Sequence, residues 1–553
     1  MDFDKISSKI NTETASFTNI RKEGYVYVDK TKSIYDLAHL RKFFFLSRPR
    51  RFGKSTIVST LEELFKHGIK SYDGHDSYFK DLAIEKLWTD NGEYKVFHLD
   101  LSTIDDEYLD DPEKLSRSVL ERINNFAQSY SLNIKEGSTS IADSFAFVLE
   151  QVEDTSVVFL IDEYDYPLTK NLEHPEYFDK FVIVLRNLYK IIKAYSQKFR
   201  FVFVTGITRY KDSFLFTSGS PIKDISQEPK FGTIVGFTKD ELLDVYKENL
   251  KWVASKKYDI AFEKVATDQL EKVLAEISYW YDGYSFDREN KTHVFTTWSI
   301  LNLFSDENAN LTNYWYESAG IPSILANSFD KIIERRDEIL SNEILVPTEK
   351  FNNPATFKTM DARVLLFQTG YLSFYRPCDE DYYYLKFPNF EVLNSFKKYL
   401  LNKAFDKDSD TYKRSKSKVL DSFDSPSDII DYFNSILNCI DFELFPITSE
   451  AAVVAYLQMF LSGQNYYKSI MVNHHSSLGR ADLIVDSNNR RLVFEFKFDK
   501  DGKHSLELLQ KAKEQLQDKR YGKTVDCPPN FKAIATVYDA TTRKLTSYEE
   551  VNY

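Results

Sequence analysis

Short apolar runs alternate with longer segments of helical spacing over the first 210 residues. The clearest runs lie at residues 43–46, 157–161 and 200–207. Each is too continuous for a half-exposed strand, so each predicts a strand buried on both faces. Less continuous runs at 25–30 and 95–101 predict further strands. Because strands and helices alternate, we predict an α/β fold with a doubly wound, mostly parallel sheet.

The middle of the chain has a mainly helical pattern. Thr238 followed by Glu241 has the spacing of a capping box and predicts the start of a helix. Apolar runs at 364–375 and 382–387 predict a pair of strands. We interpret this part as a helical lid and connecting region.

The C-terminal part returns to an α/β pattern. Two short apolar strands at 479–485 and 492–498 are separated by turn-forming residues and predict a hairpin. The mixed-charge run at 406–418 predicts a linker. The predicted domains are 1–236, 237–430 and 431–553.

Bulk properties narrow the class of protein. A chain of 553 residues is long enough for about two to four domains. The net charge of −12 argues against constitutive binding of nucleic acid through charge alone, although residues 440–553 carry equal numbers of acidic and basic side chains. No run approaches ~18 apolar residues, so we expect no membrane span. Three scattered cysteines and a polar N-terminus predict a cytoplasmic protein.

The first candidate site follows the apolar run at 43–46, where a loop carrying Gly53, Lys54 and Ser55 leads into a helix. This order is typical of a phosphate-binding loop, because loop amides and the positive end of the helix cradle phosphates. Lys54 would reach the terminal phosphates, and the Ser55 hydroxyl would ligate Mg²⁺. An ordinary basic turn is the alternative, since Arg48 replaces the usual glycine. The predicted nucleotide contacts are Arg48, Pro49, Arg50, Arg51, Phe52, Gly53, Lys54, Ser55 and Thr56.

Two acids, Asp162 and Glu163, directly follow the second buried run. Open α/β sheets bind ligands at the carboxyl ends of their strands. We therefore expect Asp162 to hold the nucleotide Mg²⁺ through water and Glu163 to orient and deprotonate the attacking water. An acidic helix start is the alternative. Thr205 can sense the γ-phosphate, and Arg209 can stabilise transition-state charge or lie solvated in a loop.

The second candidate site lies in the C-terminal hairpin. Because side chains alternate along a strand, Glu495 and Lys497 share one face, and the aromatic residues share the other. Asp482 on the preceding strand can lie beside them. Two carboxylates make an oxygen site for Mg²⁺, and Lys497 would position the water that the metal activates. The alternative is a surface hairpin with a salt bridge between Glu495 and Lys497.

The chain resembles AAA-ATPase-like proteins that carry a C-terminal PD-(D/E)XK nuclease-like domain. Six motifs carry the resemblance: FFFLSRPRRFGKS, VVFLIDEYD, FVFVTGITR, WYDGYSF, LLFQTGYLSF and FPNFEVLNSF. The resemblance implies a P-loop NTPase core and a C-terminal α/β restriction-endonuclease-like domain. It makes Arg48 a family feature.

The same resemblance implies that the three hairpin residues form the nuclease triad. It adds Glu450 as a further acid and Gln515 near the metal, although both fit a plain helix surface equally well. The sequence does not reveal the oligomeric state, but the resemblance is compatible with a homo-oligomer, since such ATPases often complete a site with an arginine from a neighbour.

Two functions fit these observations. In the first, ATP–Mg²⁺ binding controls a nuclease that uses Mg²⁺ or Mn²⁺ and cleaves nucleic acid, which we expect to be DNA. In the second, a nucleotide-switched scaffold protein grips a partner without cutting it. For the first function, the candidate phosphate contacts are Arg480, Arg490, Arg491, Lys500 and Lys503.

Overall fold

The computed structural model divides the chain into two compact units. The first comprises Met1–Glu334 and Asn342–Leu393, and the second comprises Arg335–Ser341 and Asn394–Tyr553. The structure describes residues 3–40, 43–109, 111–172, 175–210, 221–315, 323–326, 328, 331–332, 335–339, 343–352, 359–405, 409–442, 445–464, 466–476, 479–487, 489–523 and 528–553. No helix among these residues is both long enough and apolar enough to cross a membrane.

The first unit contains a five-stranded sheet in which all paired neighbours are parallel. Its strands are β1 (Phe43–Ser47), β2 (Lys95–Asp100), β3 (Val157–Asp162), β4 (Phe199–Gly206) and β5 (Ile222–Asp224), in the order β2-β3-β4-β1-β5. β3 and β4 are buried along their whole length, as their continuous apolar sequences predict. The predicted parallel α/β sheet is confirmed.

Helices precede and connect these strands. Their bounds are Phe3–Ser7, Phe17–Lys22, Thr31–Ala38, Lys54–His67, Asp106–Leu109, Pro112–Ser129, Ile141–Glu150, Tyr166–Lys170 and Pro175–Ala194, with 3₁₀ turns at Ala83–Lys86, Leu101–Thr103, Ser196–Lys198 and Pro229–Phe231. The strand predicted at 25–30 is wrong, because this segment is irregular. Side chains anchor it instead: Val28 packs in a helical core, and Lys30 Nζ lies 2.7 Å from both carboxylate oxygens of Glu241.

The predicted helical region follows the sheet. Its helices are Lys239–Val245, Lys247–Tyr258, Thr267–Tyr281 and Thr297–Ser305, with a 3₁₀ turn at Phe262–Lys264. Thr238 and Glu241 form the predicted capping box. Apolar side chains such as Leu250, Val253 and Ile277 are buried together and hold these helices to one another.

A small antiparallel sheet completes the first unit. Its strands are β6 (Ile344–Pro347), β7 (Ser373–Phe374) and β8 (Tyr382–Lys386), in the order β6-β8-β7. The strand predicted over 364–375 is wrong for most of its length, because Ala362–Gln368 is a helix capped by the Asp361 carboxylate. All but the last residue of that helix are buried, so its sequence lacks the periodicity that separates a helix from a strand. The remaining helices here are Ser323–Ala326 and Thr348–Asn352, and the helix Phe390–Ala404 begins in the first unit and passes into the second after Leu393.

The second unit contains a mixed five-stranded sheet. Its strands are β9 (Ser469–Ser476), β10 (Gly479–Asp486), β11 (Arg490–Asp499), β12 (Asn530–Asp539) and β13 (Lys544–Val551), in the order β13-β12-β11-β10-β9. β10 and β11 form the predicted antiparallel hairpin, and β12 runs parallel to β11.

The helices of the second unit are Arg336–Ile339, Asp410–Lys416, Pro426–Leu437, Glu450–Ser462 and Ser505–Lys519, with a 3₁₀ turn at Leu420–Ser422. The run predicted as a linker therefore contains a helix, which the Ser409 side chain caps. Residues 406–408 of that run lie outside the described part.

The two faces of β11 pack against different layers. Phe494 packs on Phe433 of a preceding helix, with ring centroids 4.9 Å apart. On the opposite face, Val493 belongs to a buried cluster that includes the helix Ser505–Lys519. Strand alternation places Glu495 on the face of Val493, so an acid is held at the edge of an apolar layer.

Candidate functional site

The loop between β1 and helix Lys54–His67 has the backbone that a phosphate-binding loop requires. Gly53 has a φ of +94°, a left-handed conformation that glycine adopts without steric cost. No side chain in the described part of the chain caps this helix, so its first amides lack a side-chain acceptor. A phosphate is a natural ligand for such a helix start.

The predicted acids lie beside this loop. Lys54 Nζ is 3.5 Å from Glu163 Oε1 and donates to the Pro49 carbonyl at 3.1 Å. Thr205 Oγ1 donates to Asp162 Oδ1 at 2.9 Å. Thr205 lies at the end of β4, which is the neighbour of β3 in the sheet, and its hydroxyl therefore reaches Asp162 at the end of β3 and orients that carboxylate. The structure thus brings together the loop lysine, both acids and Thr205, while a γ-phosphate contact for Thr205 stays a prediction.

Arg48 lies behind the loop. Its side chain is only 1% exposed, and it donates to the carbonyl oxygens of Ser47, Ser226 and Phe231 at 2.9, 2.6 and 3.0 Å. The guanidinium also lies 4.4 Å from the centroid of the Phe286 ring. Carbonyl oxygens and an aromatic face already engage the Arg48 guanidinium, so its contact with the nucleotide requires these contacts to open and stays a prediction.

Two other predicted contacts are engaged with protein groups. The Phe52 ring is buried against Tyr284, with centroids 4.7 Å apart. Arg209 Nε lies 2.9 Å from Asp224 Oδ2, and its Nη1 donates to the Phe351 carbonyl. A catalytic role for Arg209 requires this ion pair to open and stays a prediction. Arg50, Ser55 and Thr56 are half-buried along the loop.

The sequence reading missed Tyr164 and Asp165, which follow Glu163. The buried Asp165 carboxylate accepts hydrogen bonds from the amides of Ile207 and Thr208, and Tyr164 Oη donates to the Thr208 carbonyl at 2.9 Å. Burial and the neighbouring Glu163 raise the pKa of Asp165, while the donors oppose this shift. These contacts fix Ile207 and Thr208, which directly follow β4. In the sequence, the signal for these two residues is their place in the DEYD run at 162–165.

An apolar cavity lies directly beside the phosphate-binding loop. Phe52, Gly53 and Thr56 form one wall, and Val28 and Val235 contribute to the others. Its walls come from separate parts of the first unit, so no single motif marks it, and the sequence reading missed it.

Three acids meet in the second unit. Glu450, Asp482 and Glu495 each offer an oxygen, and these oxygens all lie within 4.8 Å of one another. Lys497 Nζ donates to Glu495 Oε1 at 2.9 Å and to Glu450 Oε1 at 3.4 Å. The Asp482 carboxylate accepts from the Phe496 amide at 2.8 Å. The structure thus assembles the predicted triad together with the predicted extra acid.

Glu495 is the most buried member, at 1% exposure, and its Oε2 has no hydrogen-bond partner among the described residues. Burial and then the nearby Asp482 raise the pKa of Glu495 to about 8, against the opposing effect of Lys497. Burial also lowers the pKa of Lys497, but the surrounding carboxylates outweigh it and leave this pKa raised. A buried carboxylate oxygen beside two further acids is a donor set that fits Mg²⁺ or Mn²⁺.

Comparison with known proteins assigns both regions. Residues 12–216 match a family described as predicted AAA-ATPase, and residues 449–547 match the PD-(D/E)XK nuclease superfamily. This chain carries an AAA-ATPase-like domain and a PD-(D/E)XK nuclease-superfamily domain. It is also similar to a protein of Azotobacter chroococcum mcd 1 named "Uncharacterized protein in vnfD 5'region". The two are 26% identical over 529 residues, which is 92% of this chain and 91% of that protein.

Two of the predicted phosphate contacts in the nuclease-superfamily domain have internal partners. Arg490 is 7% exposed and donates to the carbonyl oxygens of Leu420 and Phe423. A phosphate contact for Arg490 requires these hydrogen bonds to open and stays a prediction. Arg491 binds both carboxylate oxygens of Asp486, at 2.7 and 2.8 Å.

The other predicted residues of this domain have more open surroundings. Lys500 and Lys503 are exposed, and the side chain of Arg480 lies outside the described part of the structure. Gln515 is half-buried and donates to Tyr521 Oη at 3.3 Å. Its place beside the metal stays a prediction.

We expect the affinity of the nuclease-superfamily domain for Mn²⁺ to rise with pH. A proton and a metal ion compete for Glu495, whose pKa is about 8. Binding should therefore weaken by up to about tenfold for each pH unit below that value. The proton also stabilises the metal-free fold, and this stabilisation is lost as the pH rises through the raised pKa. Calorimetric titration without ATP measures the effect, and equal affinities at about pH 6.5 and 8.5 would contradict it.

Proposed function

We propose that the AAA-ATPase-like domain binds and hydrolyses ATP with Mg²⁺ and that nucleotide state controls metal-dependent cleavage of nucleic acid, which we expect to be DNA. The observation that carries the nuclease half is the buried Glu495 Oε2, which has no hydrogen-bond partner in the part of the chain that the structure describes and lies next to Glu450 and Asp482. A purely structural carboxylate at this depth would have its hydrogen bonds satisfied.

In the nuclease half, Glu450, Asp482 and Glu495 would hold the metal. When bound, the metal would lower the pKa of a water molecule and neutralise a phosphodiester oxygen. Lys497 keeps its proton, since its pKa is raised, and so offers a positive charge to the attacked phosphate. The Phe496 amide fixes the orientation of Asp482.

In the ATPase half, the loop amides and Lys54 would bind the phosphates, and the apolar cavity would take the nucleobase. Lys54 would then exchange its contacts with Glu163 and the Pro49 carbonyl for phosphate oxygens. This exchange leaves Glu163 available to orient water, while Thr205 holds Asp162 in place for Mg²⁺.

A cleavage assay with the full chain tests the proposal. Single- and double-stranded DNA and RNA are incubated with Mg²⁺ or Mn²⁺, with and without ATP, and we expect cleavage that EDTA abolishes. If every substrate stays intact while ATP binds, the chain is a nucleotide-switched scaffold instead of a nuclease.

We expect Glu163→Gln to retain ATP binding and to lose ATP hydrolysis by about 10²- to 10⁴-fold, because the amide cannot accept a proton from water. Phosphate release at saturating ATP measures this loss. The matched control is Glu153→Gln, an exposed position before β3 that should hydrolyse ATP normally. An unchanged turnover rate in Glu163→Gln would remove Glu163 from the mechanism.

A further inference from the structure

One support of the phosphate-binding loop comes from the helix that begins at Thr297. The Trp298 amide donates to the Arg51 carbonyl at 3.3 Å, and the Arg51 guanidinium lies 4.0 Å from the Trp298 ring centroid. The next carbonyl, that of Phe52, accepts from Thr297 Oγ1 at 3.2 Å and from the Gly236 amide at 3.1 Å. Two consecutive loop residues are thus held by hydrogen bonds from Gly236 and from the start of the helix at Thr297.

A second support touches Pro49. A Cβ atom on Gly370 would lie 2.7 Å from Pro49 Cβ, and Gly370 has a φ of +91°, so both the contact and the backbone require glycine. The Gly370 carbonyl accepts from Tyr284 Oη at 2.9 Å, and the Tyr284 ring packs on Phe52. The same Cβ atom would lie 3.6 Å from Cζ2 of the Trp315 ring.

Glu391 joins the two supports. Its fully buried carboxylate accepts from Ser299 Oγ at 2.8 Å, on the helix of the first support, and from the Trp315 amide at 2.7 Å, beside the second. Glu391 lies in the first turn of helix Phe390–Ala404, and the boundary between the two units falls within this helix, after Leu393.

We propose that Glu391 is a positioning residue for the phosphate-binding loop and relays nucleotide occupancy to the helix Phe390–Ala404. This inference rests on nucleotide binding by the loop, which is part of the proposed function. It also gives a role to the motifs WYDGYSF, LLFQTGYLSF and FPNFEVLNSF, which supply Tyr284, Gly370 and Glu391.

The physical step is a change inside the loop that reaches its outer contacts. A bound phosphate draws Lys54 Nζ away from the Pro49 carbonyl, which alters the loop next to Gly370. Close packing transmits this change to the supports instead of absorbing it. Because one carboxylate is bonded to both supports, a shift of one against the other must be taken up at Glu391.

Hydrogen exchange of the full chain tests the relay. With saturating ATP–Mg²⁺, we expect slower exchange in residues 48–56 and a change of at least about twofold in residues 390–394. In Glu391→Gln, one of the two acceptor contacts is lost, so the loop should still be protected while the response of the helix disappears. The matched control is Glu276→Gln, whose carboxylate accepts from Tyr258 Oη elsewhere in the unit and whose helix response should be normal.

The outcomes separate this inference from the function on which it rests. If ATP protects the loop but leaves the helix unchanged, or if Glu391→Gln keeps the full helix response, the relay is overturned and nucleotide binding stands. If ATP does not protect the loop, the ATPase half of the proposed function is wrong and the relay falls with it. Should Glu391→Gln fail to fold, Ser299→Ala removes one donor and keeps the carboxylate, and an undiminished helix response in that variant overturns the relay.

Discussion

Replacing Glu495 with glutamine lowers metal-dependent cleavage of nucleic acid by about 10³-fold or more. The amide keeps the volume of the side chain but presents one neutral oxygen in place of a buried carboxylate whose Oε2 has no hydrogen-bond partner among the described residues. The metal then loses its most buried ligand. Because burial raises the pKa of Glu495, ionising this side chain costs stability in the metal-free fold, and a neutral amide removes that cost, so the variant should fold at least as stably as the parent.

Initial cleavage rates measure this effect, with thermal unfolding recorded in parallel. Lys497→Ala should show a comparable loss, because its ammonium lies 2.9 Å from Glu495 and would otherwise face the attacked phosphate. The matched control is Glu507→Gln, an exposed acid on helix Ser505–Lys519. Cleavage at the parental rate in folded Glu495→Gln protein would exclude the acid cluster as the catalytic site.

Replacing Lys54 with alanine weakens ATP binding by at least about 100-fold. The Lys54 ammonium is nearly buried and contacts Glu163 and the Pro49 carbonyl. It is therefore already positioned at the loop, where a bound phosphate would lie. Loss of about two charge-assisted hydrogen bonds, each worth about 1.5–3 kcal/mol, accounts for this magnitude.

Binding of a fluorescent ATP analogue measures the change. Lys66→Ala is the matched control, since Lys66 lies on the same helix in an exposed pair with Glu62 and should bind ATP normally. If folded Lys54→Ala protein binds ATP as tightly as the parent, the loop is not a nucleotide site.

Several features of the fold followed from local sequence because a single physical rule decided each one. The continuous apolar runs before residue 210 predicted strands covered on both faces, and they form the parallel sheet. The alternation along β11 placed Glu495 opposite the aromatic side chains, and β10 brought Asp482 to the same place. Glu450 needed the resemblance to a known family, because it lies on a helix far from the hairpin in sequence.

Other features depended on distant contacts that no local pattern records. The position of Arg48 in the loop predicts a nucleotide contact. In the structure, its guanidinium is buried and donates to the carbonyl oxygens of Ser226 and Phe231. In the second unit, the Arg490 guanidinium likewise donates to a backbone carbonyl, that of Phe423. The helix Ala362–Gln368 is buried almost throughout. Its sequence is continuously apolar over 364–367, and such a run predicts a strand as readily as a helix.

The apolar cavity and the two supports of the phosphate-binding loop were invisible for the same reason. Their parts come from separate stretches of the first unit and meet only in the folded chain. The role that we propose for Tyr284, Gly370 and Glu391 therefore follows only from their contacts in the folded chain.

A divalent metal held by Glu450, Asp482 and Glu495 is the central requirement of the proposed nuclease activity. Titration with Mn²⁺ in the absence of ATP, followed by electron paramagnetic resonance, counts the bound ions directly and requires no substrate. We predict saturable binding at slightly alkaline pH that Asp482→Asn and Glu495→Gln both abolish and that Glu507→Gln leaves intact. Absence of saturable binding in the parent protein, or equal binding in Asp482→Asn, would contradict the account.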